Sequence, residues 1–501
     1  MNLNKLLCGL DVPCSGTAEI EVTGIATDSS AVLPGNVFVC IKGEHTDGHI
    51  YADEAVKRGA AVIVSEREIY VPVPVITVPS TRRAAAFMWN NLYGRPSENM
   101  TLIAVTGTNG KTSVAYILRH ILSESGVKCG IIGTLGCMAG DKELHIGSGS
   151  EIVGAAAAMT TPDPMHLYGA LYEMNRMGVD CVVMEASSHA LAQHKLSPID
   201  VDIAIFTGLS AEHMDYHGTM DNYLAAKSVL FRQAKQGIIN FDDPYAKRLC
   251  GLVPGDYVRV GTDGSSCDGV GYDVVYTAGM TEYTYSYKGM SERFCCPMPG
   301  RFGLYNSLLS ATAAIEAGVP FTSVRDALRT FPGVPGRMET VAKDCGITVI
   351  IDYAHTPEAL KNAAEIVATA TEGGLWLVFG CGGDRDKTKR PIMGRIASEI
   401  ADYTVITSDN PRTEDRESII SDIMAGFDRS KPHSVITDRA EAIRYAVLSA
   451  REGDIVLLCG KGHEKYEITL AGKHPFDETA IVKAAIKERA EQGHCPSRRK
   501  G

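Results

Sequence analysis

Residues 102–105 are apolar without a break and run into Thr106-Gly107-Thr108-Asn109-Gly110-Lys111-Thr112-Ser113. Beyond that loop the apolar positions fall at Val114, Ile117, Leu118, Ile121 and Leu122. An unbroken run followed by spacings of three and four predicts a buried strand, a glycine loop and a helix with one buried face. The alternation recurs. Residues 181–184 and 203–206 read as central parallel strands, each running into polar residues, at 185–189 and at 207–213. Residues 349–351, 375–379, 403–407, 434–437 and 455–458 are short strands with helical segments between them, a doubly wound pattern. Near the start, 37–41 and 60–64 read as strands on either side of a helix at 51–58. The segment 257–293 breaks the pattern. It is β-rich, carries Tyr285 and Tyr287, and reads as an antiparallel excursion with no chemistry assigned to it.

This order predicts an α/β chain of three domains. They are a small N-terminal α/β domain (1–97), a central P-loop-type domain with a mostly parallel sheet (98–334) and a C-terminal Rossmann-like doubly wound domain (335–501). Turns at Gly94-Arg95-Pro96-Ser97 and Gly333-Val334-Pro335-Gly336 mark the junctions. A chain of 501 residues can bury three cores. Apolar content of 45% and charged content of 22% are those of a soluble globular protein. A net charge of −11 argues against a nucleic-acid-binding surface while leaving room for a local basic pocket. No apolar run approaches the roughly 18 residues of a membrane span, and the first residues lack a signal-peptide pattern. The fourteen cysteines include no C-x-x-C pair and read as reduced thiols. A cytoplasmic protein, monomeric and away from membranes, is the expectation.

The loop at 107–113 carries the first chemistry. Glycines let backbone N–H groups close around phosphate oxygens, and the helix N-terminus adds positive potential. Lys111 supplies a point charge to the β/γ-phosphates and Thr112 a hydroxyl to Mg²⁺. The generic P-loop spacing requires a glycine where this chain has Val105, so the flanking strand and helix carry the assignment. Ligands bind beyond the carboxyl ends of strands in open α/β sheets, which brings Glu185 and His213 forward. Glu185 is a hard oxygen donor suited to Mg²⁺. The residues alone leave His213 between a metal ligand and a hydrogen-bonded structural histidine. In the last third, four strand ends carry polar loops, at 352–355, 381–386, 408–412 and 460–464. Two of these contain arginine, which turns do not need and carboxylates do.

These motifs together resemble the Mur ligase family, and within it the MurE type. Residues 106–112 match the family's T-G-T-N-G-K-T loop. Asn306, Arg337 in Pro335-Gly336-Arg337-Met338-Glu339, and Asp352 and His355 in Asp352-Tyr353-Ala354-His355-Thr356-Pro357 are similar to its remaining ATP-site motifs. The resemblance makes the three domains, in order, UDP-substrate-binding, ATP-binding and amino-acid-binding. Asp28-Ser29, Pro34-Gly35 and the loop holding His45 and Thr46 resemble the uridine-binding part. Thr160-Thr161-Pro162-Asp163, Ser188, Gln193 and Lys195 resemble segments that hold the UDP-muramoyl dipeptide. Tyr216-His217-Gly218-Thr219-Met220, leading to Lys227, is similar to the segment bearing a carbamylated lysine. A carbamate formed with CO₂ turns a cation that repels Mg²⁺ into an anionic oxygen ligand; Lys227's own surroundings in sequence are equally those of a solvated helix lysine. Arg385, Asp409-Asn410-Pro411-Arg412, Gly460 and Glu464 resemble the amino-acid pocket in the form tied to meso-diaminopimelate. There Arg412 pairs with the far carboxylate, Asn410 and Glu464 serve the ammonium, and Arg385 is expected to grip the other carboxylate. The chain departs from the family's pattern at Gly208 to Glu212, at Ser30 and Lys195 where arginine is usual, and in the Gly/Ala-rich run 147–158.

The resemblance implies an ATP-dependent, Mg²⁺-using amide ligase of peptidoglycan synthesis. It adds meso-diaminopimelate to the D-glutamate side-chain carboxylate of UDP-N-acetylmuramoyl-L-alanyl-D-glutamate through an acyl phosphate. Lys111, Glu185, His213 and Lys227 are its expected catalytic residues, with Thr112, Glu185, His213 and Lys227 near the metal. Alternatives are a lysine-adding or other Mur-like amide ligase with a different acceptor, or a non-catalytic nucleotide-binding homologue. The sequence names no convincing base for the incoming amine, although His355 stands in the right set of loops.

Overall fold

The structure, a computed structural model, describes residues 1–12, 20–43, 46–146, 159–277 and 279–492. The chain gathers into two compact units. One comprises Met1–Tyr272, Thr284–Arg293 and Tyr305–Leu328, the other Asp273–Tyr283, Phe294–Leu304 and Arg329–Gly501.

The first unit opens with a parallel sheet in which Gly24–Ala26, Asn36–Val39, Val62–Ser65 and Val75–Thr77 pair in chain order. Val37, Val39, Val62 and Val64 face the helix Thr81–Leu92 through Ala84, Ala85 and Met88. Phe38 and Ile63 face Ala52 and Ala55 on the other side. Both faces are covered, which is why these strands read as continuous apolar runs. The unit's larger sheet places Ala234–Asn240, Val201–Phe206, Thr101–Thr106, Cys181–Glu185 and Cys129–Gly133 side by side, all parallel. Register pairs Thr106 with Phe206 and Val105 with Glu185, so the loops after these strands leave from one edge. The excursion after Tyr257 is not antiparallel at its start. Tyr257–Gly261 runs parallel to Ala234–Asn240 and meets Gly269–Tyr276 in parallel at two residue pairs, because the loop between them carries the chain back before the next strand begins. In Thr281–Tyr287 burial alternates. Tyr285 hydrogen-bonds Thr312 Oγ1 at 2.7 Å and Tyr287 donates to Glu316 at 2.7 Å, a packing role for the tyrosines.

The second unit is doubly wound. Its sheet runs Glu339–Asp344, Ile347–Asp352, Ile455–Cys459, Leu375–Phe379, Tyr403–Ile406, His433–Val435, with the first pair antiparallel and the others parallel. Pro357–Ala370 and Lys389–Ile400 cover one face through Leu360, Ala364, Met393 and Ala397. Arg439–Ser449 and Glu478–Glu491 cover the other through Ile443, Val447 and Val482. Asp352, Cys459, Phe379 and Ile406 share one register row, so the loops that follow them share one edge. The last strand sits at 433–435 rather than 434–437, since it pairs only with Thr404 to Ile406.

Candidate active site

The loop after Thr101–Thr106 is held from below by the neighbouring strand end. Thr207 Oγ1 donates to Asn109 O at 2.5 Å, Thr108 N donates to Gly208 O at 2.9 Å, and Ser210 N donates to Thr108 Oγ1 at 3.0 Å. Gly107 has φ 150°, and a Cβ there would stand 1.9 Å from Thr207 Oγ1. Only glycine fits that approach. The helix Lys111–Glu124 begins at Gly110 with no side chain capping it. Uncapped N–H groups at the start of a 14-residue helix make a receptor for phosphate. Asn306 lies beside the loop, its Oδ1 2.6 Å from where a Cβ on Gly110 would be. Lys111 Nζ donates to the carbonyls of Gly107 and Thr108, each at 2.9 Å, which holds its charge over the same loop.

Glu185 ends the adjacent strand and is fully buried. Its carboxylate accepts Thr134 N at 2.8 Å, Thr112 Oγ1 at 2.9 Å and Thr134 Oγ1 at 3.0 Å. Thr134, which sequence reasoning missed, follows Cys129–Gly133 and obeys the same strand-end rule. Thr134 Oγ1 also lies 3.2 Å from Thr160 Oγ1. Thr161 Oγ1 donates to Glu185 O at 2.8 Å and accepts from Ser187 N at 3.0 Å. Lys227 is 1% exposed on the helix Met220–Arg232 and donates to Gly107 O at 2.8 Å. Burial first, and the Lys111 ammonium second, hold its amine well below the usual lysine range. It is not a solvated helix lysine. Ser113 is buried on the same helix as Thr112.

His213 sits at φ 57° ahead of the short helix Met214–His217, with its ring 4.8 Å from that of His189. Burial lowers its pKa against the opposing Glu212 carboxylate, and the Lys111 and Lys227 ammoniums add to the lowering. His217 hydrogen-bonds the buried Ser188 Oγ at 2.9 Å. Among the described residues no three His, Cys, Asp or Glu side chains gather as a metal-holding group. The oxygen donors at hand are the Thr112 hydroxyl and the buried Glu185 carboxylate. That set fits Mg²⁺, which keeps waters and substrate oxygens and takes few protein ligands. Gly208, one of the departures from the family's pattern, has φ 142°, and a Cβ there would meet Asp243 Oδ2 at 2.7 Å. That carboxylate accepts Leu209 N at 3.0 Å and fixes the loop.

A cavity of about 600 Å³ lies in the same unit. Asp28, Ser29 and Thr46 line it from loops beside the first sheet, and Gln193 and Lys195 from the segment after the helix Ser188–Ala192, together with Phe38, Arg82 and Trp89. Lys195 is ion-paired with Asp163 at 2.8 Å, so the wall keeps a cation where the family usually has arginine. Ser30 turns its hydroxyl onto Asp28 Oδ1 at 2.8 Å. His45 and the run 147–158 lie outside the described residues.

In the second unit Arg337 stacks over Tyr353 at 4.6 Å. Tyr353 in turn lies against His355 and His463, with ring centroids 4.7 and 5.1 Å away. Asp352 accepts the backbone N–H groups of Met338 and Ala354, both at 2.8 Å; burial raises its pKa while Arg337 opposes that. Arg412 Nη1 donates to Gly383 O at 2.9 Å. Burial, and then Arg385, lower its pKa. Arg385 Nη1 donates to Asp384 O at 3.0 Å. Burial raises the Glu464 carboxyl pKa, and Asn410 Nδ2, donating at 2.8 Å, opposes it. Asn410 Oδ1 already accepts from Lys461 Nζ at 2.8 Å and Ile468 N at 2.9 Å. The amide therefore has only N–H left to give, and an ammonium falls to Glu464 rather than to both. Asp409 is buried behind the loop, 3.8 Å from Lys461, and Gly460 packs against it. Two guanidiniums and one carboxylate at one strand edge complement a zwitterion with more than one carboxylate.

A phosphate-binding loop with a buried acid and a buried lysine, and a separate doubly wound unit with an amino-acid-shaped charge pattern, define a nucleotide-dependent ligase architecture. The chain belongs to the Mur ligase family. The descriptions "Mur ligase family, catalytic domain", "Mur ligase middle domain" and "Mur ligase, glutamate ligase domain" match residues 21–90, 105–314 and 336–462. It is 38% identical over 495 residues to the UDP-N-acetylmuramoyl-L-alanyl-D-glutamate–2,6-diaminopimelate ligase of Clostridium botulinum, covering 97% of this chain and all of that one. It is 40% identical over 488 residues to the Geobacillus kaustophilus protein of the same name, covering 94% and 96%. A solved structure of a ligase with that name superposes with a TM-score of 0.71 at 30% identity, over 98% of this chain and 99% of the other.

Proposed function

We propose that this protein is the ATP-dependent ligase that joins meso-diaminopimelate to the D-glutamate side-chain carboxylate of UDP-N-acetylmuramoyl-L-alanyl-D-glutamate in peptidoglycan synthesis. The observation that carries the reading within the family is the charge pattern of Arg385, Arg412 and Glu464 at one strand edge. Lysine has no second carboxylate and leaves one guanidinium without a partner.

A carboxylate is a poor electrophile because oxide would have to leave. Transfer of the γ-phosphoryl group makes the acyl phosphate, the amine attacks, and phosphate departs. The loop 107–113 and Asn306 bind the nucleotide, and Lys111 stabilises charge on the transferring group. Thr112, Glu185, His213 and, as its carbamate, Lys227 would hold Mg²⁺, which would neutralise phosphate charge. Burial pulls the Lys227 amine toward the neutral form that CO₂ needs, and a carbamate there would offset the neighbouring Lys111 charge. Arg337, Asp352 and His355 are assigned to nucleotide binding on their likeness to the family's motifs. Ser29, His45, Thr46, Thr160, Thr161, Ser188, Gln193 and Lys195 hold the nucleotide-sugar peptide. Domain limits at 97 and 334 go with this reading. So does a cytoplasmic location; among the described residues no helix is long and apolar enough to cross a membrane.

The test is phosphate release with ATP, Mg²⁺ and the UDP-muramoyl dipeptide, run with meso-diaminopimelate, with L-lysine and with neither. Release that depends on diaminopimelate, with the tripeptide product identified by mass, is the expected result. Release with lysine alone would keep the ligase and reject the pocket argument.

A further inference from the structure

Lys461 is the one lysine in the second unit's loops that is wholly buried among the described residues, with an exposure of 0%. Its Nζ donates to Asn410 Oδ1 at 2.8 Å and to Tyr466 O at 2.9 Å, and stands 3.8 Å from Asp409 Oδ1. Below it Arg439 is paired with Glu478 at 2.6 Å. A buried ammonium is costly unless its donors are met, and here three acceptors surround it. The neighbouring strand Tyr466–Thr469 is bound to the same loop, since Arg412 N donates to Ile468 O at 3.0 Å and Ile468 N donates to Asn410 Oδ1 at 2.9 Å.

The consequence falls on Asn410. An amide can turn either end outward, and its two ends have opposite hydrogen-bonding sense. With both lone pairs of Oδ1 filled, the amide is locked with Nδ2 toward Glu464 Oε2 at 2.8 Å. We infer that Lys461 is a positioning residue for amino-acid selection: without touching the substrate, it sets the hand of the Asn410 amide. It thereby holds a Glu464 oxygen in place as an acceptor for the ammonium at the far end of the amino acid, beside the Arg412 donor for its carboxylate. Without Lys461 one lone pair of Oδ1 empties, and only Ile468 N and Glu464 Oε2 are left to hold the amide.

This rests on the diaminopimelate reading, and the test separates the two. Turnover by the unaltered full-length protein with meso-diaminopimelate is measured first; its absence refutes that reading and not the lysine's role. Lys461→Met is expected to raise KM for diaminopimelate about tenfold or more, with kcat and the KM values for ATP and the nucleotide sugar within about twofold. Lys461→Gln keeps one N–H donor and is expected to raise it about threefold. In the background of Asn410→Ala, Lys461→Met is expected to add nothing, because the lysine acts through that amide. An unchanged KM for diaminopimelate, a parallel fall in kcat with all three substrates, or an additive double variant overturns the proposal. Should Lys461→Met fail to fold, Lys461→Gln decides the matter: a selective rise supports the role and no rise overturns it.

Discussion

Glu185→Gln separates a metal-binding carboxylate from one that merely braces the strand ends. The carboxylate accepts three hydrogen bonds, from Thr134 N, Thr134 Oγ1 and Thr112 Oγ1. Glutamine keeps an oxygen for Thr134 N. Its amide nitrogen then faces two hydroxyls, which accept as readily as they donate, and Thr134 Oγ1 has Thr160 Oγ1 at 3.2 Å to donate to instead. Three charge-assisted bonds become neutral ones, a loss of about 1 kcal/mol each, offset by no longer burying a charge. The thermal midpoint is therefore expected to shift by only a few degrees, on the order of 1 kcal/mol. Activity is another matter. Removing an anionic oxygen from a Mg²⁺ site is expected to lower kcat/KM at least about 100-fold, which is about 2.7 kcal/mol of transition-state stabilisation. The Mg²⁺ concentration for half-maximal rate is expected to rise. The assay is phosphate release across a Mg²⁺ titration, paired with thermal unfolding. A fall in kcat/KM of less than about tenfold with an unchanged Mg²⁺ requirement would refute the metal assignment.

Gly107→Ala places a Cβ against Thr207 Oγ1 and asks alanine for an unfavourable φ, so stability should fall about 2–4 kcal/mol; adding Thr207→Ala should recover part of that in thermal melts, and no recovery would mean the clash is not the cause. Lys227→Ala should lower turnover about 100-fold or more, and a short-chain acid supplied in the assay should restore some of it; undiminished turnover would count against the carbamate. Arg412→Ala should raise KM for diaminopimelate about 100-fold while leaving KM for ATP unchanged, so that equal effects on both substrates would deny it a place in the amino-acid site. Burial lowers both His217 and His463 to about 4 from an ordinary 6.5. The unfolded chain takes up these protons first, so the contribution is complete above about pH 6.5 and disappears as pH falls toward 4. His463→Asn should flatten the melting temperature's pH dependence across that window.

The strand, loop and helix at 101–124 are legible in sequence because every signal they use is local: an apolar run, glycines, and spacings of three and four. What is not legible is the support. Thr112 reaches Glu185 across 73 positions, and Thr207 reaches Asn109 across 98. Those contacts exist only because parallel register aligns Thr106 with Phe206 and Val105 with Glu185. Thr134 stands at a strand end like the others, but a lone hydroxyl after Gly133 carries no signal until its carboxylate partner is known. Lys461 lies in a glycine-rich loop, and nothing in Gly460-Lys461-Gly462 tells a solvated lysine from a buried one; burial is a property of the tertiary fold. The excursion at 257–293 misleads for the opposite reason. β-propensity predicts strands well enough, but the direction of pairing depends on the path of the intervening loop.

The departures from the family's motifs become intelligible once the space around them is filled. A glycine at 208 has no side chain to tie the strand-end loop down. Asp243 enters from the next strand's end and accepts Leu209 N, so the tie is made from the other side. Lysine at 195 in place of arginine loses a bidentate fork but keeps a cation in the cavity wall, paired with Asp163. Ser30 keeps no cation, and its hydroxyl caps Asp28; Arg82 stands in the same cavity wall and supplies a positive charge there. In two of the three places charge of the same sign remains at the site, and in the third the backbone is still held. A chain losing its nucleotide-sugar substrate would have no reason to keep those cations over a cavity of about 600 Å³, so the departures argue for altered contacts to the same class of ligand rather than for a site falling out of use.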